Sequence, residues 1–374
     1  MNGTFRVGNL FGIPFNIHPS WFLILGLVTW TYGSELAANF PGLGGPLPWV
    51  LGLMTGLLLF ASVLAHELGH SFVAMRQGID VKSINLFLFG GLANLERESK
   101  TPAEAFWVAI AGPAVSLLLF GIFTAIGLGT NISGPLAAIV GLLASINLAL
   151  ALFNLIPGLP LDGGNILKAA VWKVTGNPYK GVVFASRVGQ IFGWIAIASG
   201  VLPLVLYGSS ANFWNLLVGW FLLQNAGQSA QYATVQDKLA GLTAEDAVIP
   251  NSPIVCANIS LRQFANDYVI GQTTWQKFLV TNQEGQLVGA IAVEDLKTVS
   301  LELWPQIKVS EIMRSIEQSN TVKSDRSLLE VATLLEQQNI TQLPVIRDNG
   351  VLVGLLLKTS IVNLLQRQAQ ANPA

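Results

Sequence analysis

The chain reads as a polytopic α-helical membrane domain of about six transmembrane helices with a short membrane-associated β segment, followed by a C-terminal α/β pair. Three observations predict this. Of 374 residues, 52% are hydrophobic and 11% charged, where a soluble protein carries about 25% charged residues. The charges come late, with nine Lys/Arg in residues 1–237 and eleven in the remaining 137. After Gln231 a unit of about 60 residues occurs twice, as expected of a paired module in which each half completes the other's core.

A helix needs about 20 predominantly apolar residues to cross the hydrocarbon core. Six stretches qualify, at 19–38, 48–75, 103–128, 134–157, 181–207 and 212–230, the fourth and sixth interrupted by Asn147, Asn154, Asn215 and Gln224. The first is too long for a signal-peptide core and reads as a retained anchor. No Lys or Arg falls between Arg6 and Arg76, Lys100 and Lys168, or Arg187 and Lys238. The basic residues sit in the loops after spans two and four, so the N-terminus, those loops and the tail are expected in the cytoplasm.

Between spans two and three, residues 79–95 break the helical pattern. Ile84, Leu86 and Leu88 alternate with Asn85, Phe87 and Phe89, and Gly90-Gly91 reads as a turn or hairpin. Such backbone near membrane depth must be buried in protein or line a watery cavity.

The chemistry begins at SVLAHELGHSFVAM, residues 62–75. Residues four apart share a helical face, so His66 and His70 can hold one metal ion, with Glu67 beside them to take a proton from water. Two histidines satisfying polar needs inside a bundle is the bland alternative; ionisable residues inside spans are costly and usually functional. Zinc suits such a site, with three protein ligands and an open position. The third ligand is Asp162 or His18, and Asp162 is favoured. It follows Pro157 and Pro160 at the inner end of span four, the membrane face that His66 and His70 also reach. Capping the helix NILKAAVWKV is its competing role.

HELGH in an inward-running span, a later N-x-x-P-x-x-P-L-D-G-G, the Gly-Gly segment and AGP at 111–113 together resemble the site-2 protease family of intramembrane zinc metalloproteases (peptidase family M50), over about residues 8–230. The resemblance implies one zinc per chain on His66, His70 and Asp162, with Glu67 as general base. It implies that Asn154 lies near the metal, steadying the substrate carbonyl or oxyanion, and that Leu86, Leu88, Gly90 and Gly91 bind an unwound substrate. His18 matches a family position of unassigned role. Residues 243–300 and 309–366, after a linker at 231–242, resemble paired cystathionine-β-synthase (CBS) domains. Such a pair implies an adenine nucleotide at Asp295, or a structural role in a homodimer. Ala292 and Leu357 stand where a hydroxyl is common, with Ser360 at the second unit's acidic position.

The expected function is therefore regulated intramembrane proteolysis: hydrolysis within or near transmembrane segments of membrane proteins, modulated by the CBS pair in a cell-membrane enzyme. The alternative is a transporter or channel gated by the pair, with the His/Glu cluster as an ion site. A net charge of −1 gives no reason to expect nucleic acid, and the single Cys256 excludes an internal disulfide framework.

Overall fold

The computed structural model describes residues 4–87, 90–208, 210–271, 275–315 and 321–371. They form two compact units, Met1–Thr234 and Val235–Ala374.

The first unit opens with a hairpin, β1 (Phe5–Leu10) and β2 (Ile13–Ile17), then α1 (Ser20–Asn39) and α2 (Leu47–Arg76). A second hairpin follows, β3 (Val81–Phe87) and β4 (Gly90–Leu95), and then α3 (Pro102–Gly129), α4 (Pro135–Asn154), α5 (Asp162–Thr175), α6 (Pro178–Tyr207) and α7 (Phe213–Ala240). Among the described residues, α2, α3, α4 and α6 are the four helices long and apolar enough to cross a membrane. Helices also form at the first and sixth expected spans, but Thr29, Thr31 and Glu35 in α1 and Asn215, Gln224 and Asn225 in α7 make them more polar. The fourth helix ends at Asn154, ahead of the prolines.

The helix α2 is built for lipid. Its large side chains Leu53, Met54, Leu57 and Leu58 are exposed, while Thr55, Ser62, His66, Glu67, His70 and Ser71 are buried. Polar and small residues face the bundle and apolar ones face outward, the arrangement hydrocarbon favours.

The two hairpins join into one sheet, order β1-β2-β3-β4, with β2 parallel to β3 and the other pairs antiparallel. Ile13, Ile17, Ile84 and Leu86 seat the sheet on Trp21 of α1 and on Phe60, Val63, Leu64 and Leu68 of α2. The sequence pattern placed Gly90-Gly91 in a turn or hairpin, and a hairpin forms. Both glycines open β4, the edge strand, for a reason that concerns Glu67.

The second unit holds two three-stranded sheets of one design. The first repeat has β5 (Ile254–Cys256), the short helix α8 (Leu261–Phe264), β6 (Lys277–Thr281) and β7 (Leu287–Ala292). After α9 (Val309–Ile312), the second has β8 (Val322–Lys323), α10 (Leu328–Gln337), β9 (Gln342–Ile346), β10 (Leu352–Leu357) and α11 (Lys358–Ala371). In each sheet the middle strand pairs parallel with the first and antiparallel with the third. The lead-ins are exchanged. Leu239, Ala244 and Ala247 pack into the core of the second repeat, and Val309 into that of the first.

Candidate metal centre and substrate cleft

Three side chains from two elements converge. His66 Nε2 and His70 Nε2 lie 3.3 Å apart, and Asp162 Oδ2 stands 3.0 Å from the first and 3.3 Å from the second. These are the only such His/Asp cluster among the described residues. Donor atoms about 2.0 to 2.1 Å from a tetrahedral zinc lie about 3.3 Å from one another, so the donor set fits that ion.

The histidine rings are oriented from behind by α3. Val108 carbonyl accepts from His70 Nδ1 at 2.7 Å, and the buried Ser116 hydroxyl pairs with His66 Nδ1 at 2.9 Å. Both Nδ1 atoms are thus engaged, which leaves both Nε2 atoms to face the centre. Val108, Gly112 and Ser116 recur every four residues and form one face of α3. Gly112 is the closest approach: a Cβ there would lie 2.6 Å from His66 Nε2 and closer still to His70 Nε2. The bare backbone leaves room for the donors to meet.

Asp162 is the first residue of α5, after Leu161 at the cap position, so it does not serve as the N-cap. Glu67, one residue on from His66, points to the sheet. A Cβ on Gly91 would collide with Glu67 Cγ and lie 2.7 Å from its Cδ. That is why Gly91 stands in the strand.

The strand edge follows from the register. The His18 amide donates to Leu86 carbonyl at 2.9 Å, so Leu86 directs its backbone groups toward β2. Its neighbours Asn85 and Phe87 then direct theirs at β4, opposite Leu92 and Gly90. Gly91 and Ala93 therefore turn their N–H and C=O groups away from the sheet. The Ala93 amide faces the Glu67 carboxylate.

A cavity of about 740 Å³ runs along this edge, lined by His66, Glu67, His70, Asp162, Gly91 and Asn154 among others. Asn154 donates one amide proton to Leu150 carbonyl at 3.0 Å. His18 reaches the cavity wall but pairs through Nδ1 with Ser20 Oγ at 2.8 Å, outside the three-residue cluster. Leu86 contributes to the wall with its side chain buried in the sheet core, Gly90 lines the cavity, and Leu88 lies outside the described residues. The supporting groups Ser116, Val108 and Gly112 escaped the sequence reading, apart from the AGP motif.

In the other unit Asp295 is occupied. It accepts from the Ala292 amide at 2.8 Å and from Arg314 at 2.6 Å. The Ala292 amide holds its carboxyl below the usual aspartate range, and Arg314 adds to this, against burial that pushes it up. Ser360 Oγ donates to Ala247 carbonyl.

The sequence matches the model of peptidase family M50 over residues 54–133 and 129–196, and that of the CBS domain over 309–367. A relative from Synechocystis sp., named a zinc metalloprotease, is 59% identical over 99% of this chain and 97% of its own length. The chain belongs to peptidase family M50. A zinc metalloprotease of Mycobacterium tuberculosis is 30% identical to this peptidase over its whole length and 96% of the relative. A solved site-2 protease from Methanocaldococcus jannaschii is 29% identical, covers 61% of this chain and 95% of that one, and has a TM-score of 0.43. The M50 peptidase is thus a membrane protein with a C-terminal CBS domain and, among the described residues, four membrane-capable helices.

Proposed function

We propose that this peptidase cleaves transmembrane segments of other membrane proteins, with zinc on His66, His70 and Asp162 and Glu67 as general base. The convergence of those three donors beside a carboxylate on an open strand edge carries the reading. Bound there, zinc would supply Lewis acidity and lower the pKa of water at the open position.

The chain's own groups account for the rest. A helical peptide bond is shielded by its own hydrogen bonds, so the substrate must unwind. The outward groups of Gly91 and the Ala93 carbonyl offer replacement hydrogen bonds to an added strand, with Leu86 and Gly90 shaping that edge. Laid there, the scissile carbonyl comes beside Glu67, which takes the proton of the attacking water and returns it to the leaving amine. Asn154 has a second amide proton to give the developing oxyanion.

In this reading α1 and α7 complete six spans. The N-terminus, the cavity mouth and the tail are cytoplasmic, and the host is the cell membrane. The CBS pair modulates activity in regulated proteolysis, as a homodimer contact. An adenine nucleotide at Asp295 would have to displace Arg314, so a structural role is the better supported one. Calorimetry with ATP and AMP decides between them.

The test of the activity compares wild type with Glu67→Gln on one membrane substrate, measuring cleavage and bound zinc together. Glu67→Gln should keep zinc and lose about 10²- to 10⁴-fold in rate. Equal cleavage by both forms, or no zinc in either, would sink the proposal. Asp162→Ala should lose zinc and His18→Ala should keep it.

A further inference from the structure

We propose that Lys168 determines sequence specificity by pairing with an acidic substrate side chain about three residues from the scissile bond. The inference rests on the protease reading above. Two walls of the cavity lead to this residue. On α5 the cavity-lining positions are Asp162, Asn165, Lys168 and Trp172, spaced by three and four as one helical face requires. Six residues separate Lys168 from Asp162, about 9 Å along a helix rising 1.5 Å per residue. On the other wall β4 runs past Gly91 and Ala93 to Leu95, and the chain continues to Glu98, which also lines the cavity.

The walls meet where Lys168 Nζ donates to Glu98 Oε2 at 3.0 Å. The two partners stand in different surroundings. The Lys168 side chain is 16% exposed and that of Glu98 81%. A cation withdrawn from water needs an anion close by, whereas an exposed carboxylate gains little from its pair. Glu98 therefore yields readily to a carboxylate presented from inside the cavity. A strand added along β4 advances about 3.3 Å per residue and covers the 9 Å to Lys168 in about three residues. Nothing else in the motif chemistry uses Lys168, which lines the cavity where its two walls meet.

The experiment uses the full-length protein in liposomes and neutral transmembrane segments that it cuts. Each segment carries one Asp, Asn or Lys, two to four residues from the cleaved bond on either side, with the cut mapped by mass spectrometry. At one position Asp should raise kcat/KM about fivefold over Asn, and Lys should lower it as much. Lys168→Glu should invert that preference at that position alone, and Glu98→Gln should widen it. If both variants slow every segment alike and leave the Asp/Lys ratio unchanged, the pair is only a clasp and the proposal falls. It falls equally if the preference survives in Lys168→Glu. Wild type that binds zinc yet cuts no segment would overturn the protease reading itself, a failure distinct from cutting without preference.

Discussion

At the scale of single residues, two glycines define the centre by what they lack. Gly112 leaves the space where His66 and His70 bring their Nε2 atoms together, and Gly91 leaves the space that Glu67 occupies against the sheet. Adding one methyl group to each should therefore separate metal binding from catalysis. Gly112→Ala pushes on the histidine donors and should weaken zinc binding by about 10- to 100-fold, as loss of an orienting partner does. Gly91→Ala displaces only Glu67, so zinc should stay bound while kcat falls by about 10²-fold, the cost of moving the proposed general base by roughly an ångström. Zinc stoichiometry and single-turnover cleavage on the same preparations check both. Zinc retained in Gly112→Ala, or lost in Gly91→Ala, would contradict this division of roles.

At the scale of elements, the edge strand β4 makes a sharper demand. Proline removes one N–H, and it is tolerated in a sheet only where that N–H points outward. The Leu92 amide serves β3 and the Ala93 amide faces Glu67. Ala93→Pro should thus fold and bind zinc yet cut at least about tenfold more slowly, because Glu67 loses the amide that faces it. Leu92→Pro should lower the thermal midpoint by breaking the ladder. If Ala93→Pro cuts at the wild-type rate, that amide contributes nothing to holding Glu67 for catalysis. The same elements explain how far the sequence could be read. The long apolar runs of α2, α3, α4 and α6 and the His-Glu-x-x-His spacing are local signals, legible within one or two turns. The hairpin β1–β2 went unread because its reason is distant: Phe15, Asn16 and Ile17 pair with Ile84, Asn85 and Leu86 across two intervening helices. Gly90-Gly91 was legible as a turn or hairpin, but only the position of Glu67 explains why a glycine stands inside that strand. Asp162 was legible as a lone acid after two prolines; the orienting roles of Val108 and Ser116 depend on how α3 packs and leave no local mark.

At the scale of the molecule, the exchanged lead-ins make the second unit indivisible. Val309 is fully buried in the first repeat although the chain has already left it, and Ala247 is buried in the second before the chain reaches it. A cavity in either core should therefore loosen both repeats. Val309→Ala and Leu356→Ala, each at a fully buried position, should each cost about 2 to 3 kcal/mol. Hydrogen exchange on the full-length protein should show β6 and β10 losing protection together, as one cooperative unit does; loss confined to one repeat would refute the coupling. Within that unit Asp295 bonds Arg314 in the lead-in that follows α9. Its pKa is lowered in the fold, so the folded state holds its proton less tightly than the unfolded chain does. The resulting stabilisation is present above the ordinary value of 3.8 and is lost as pH falls through the lower folded value. Asp295→Asn removes that titration. Between about pH 5 and pH 2.5 the wild-type unit should lose thermal stability more steeply than the Asn variant. Parallel slopes would mean that neither the Ala292 amide nor Arg314 stabilises the charged carboxylate in the fold.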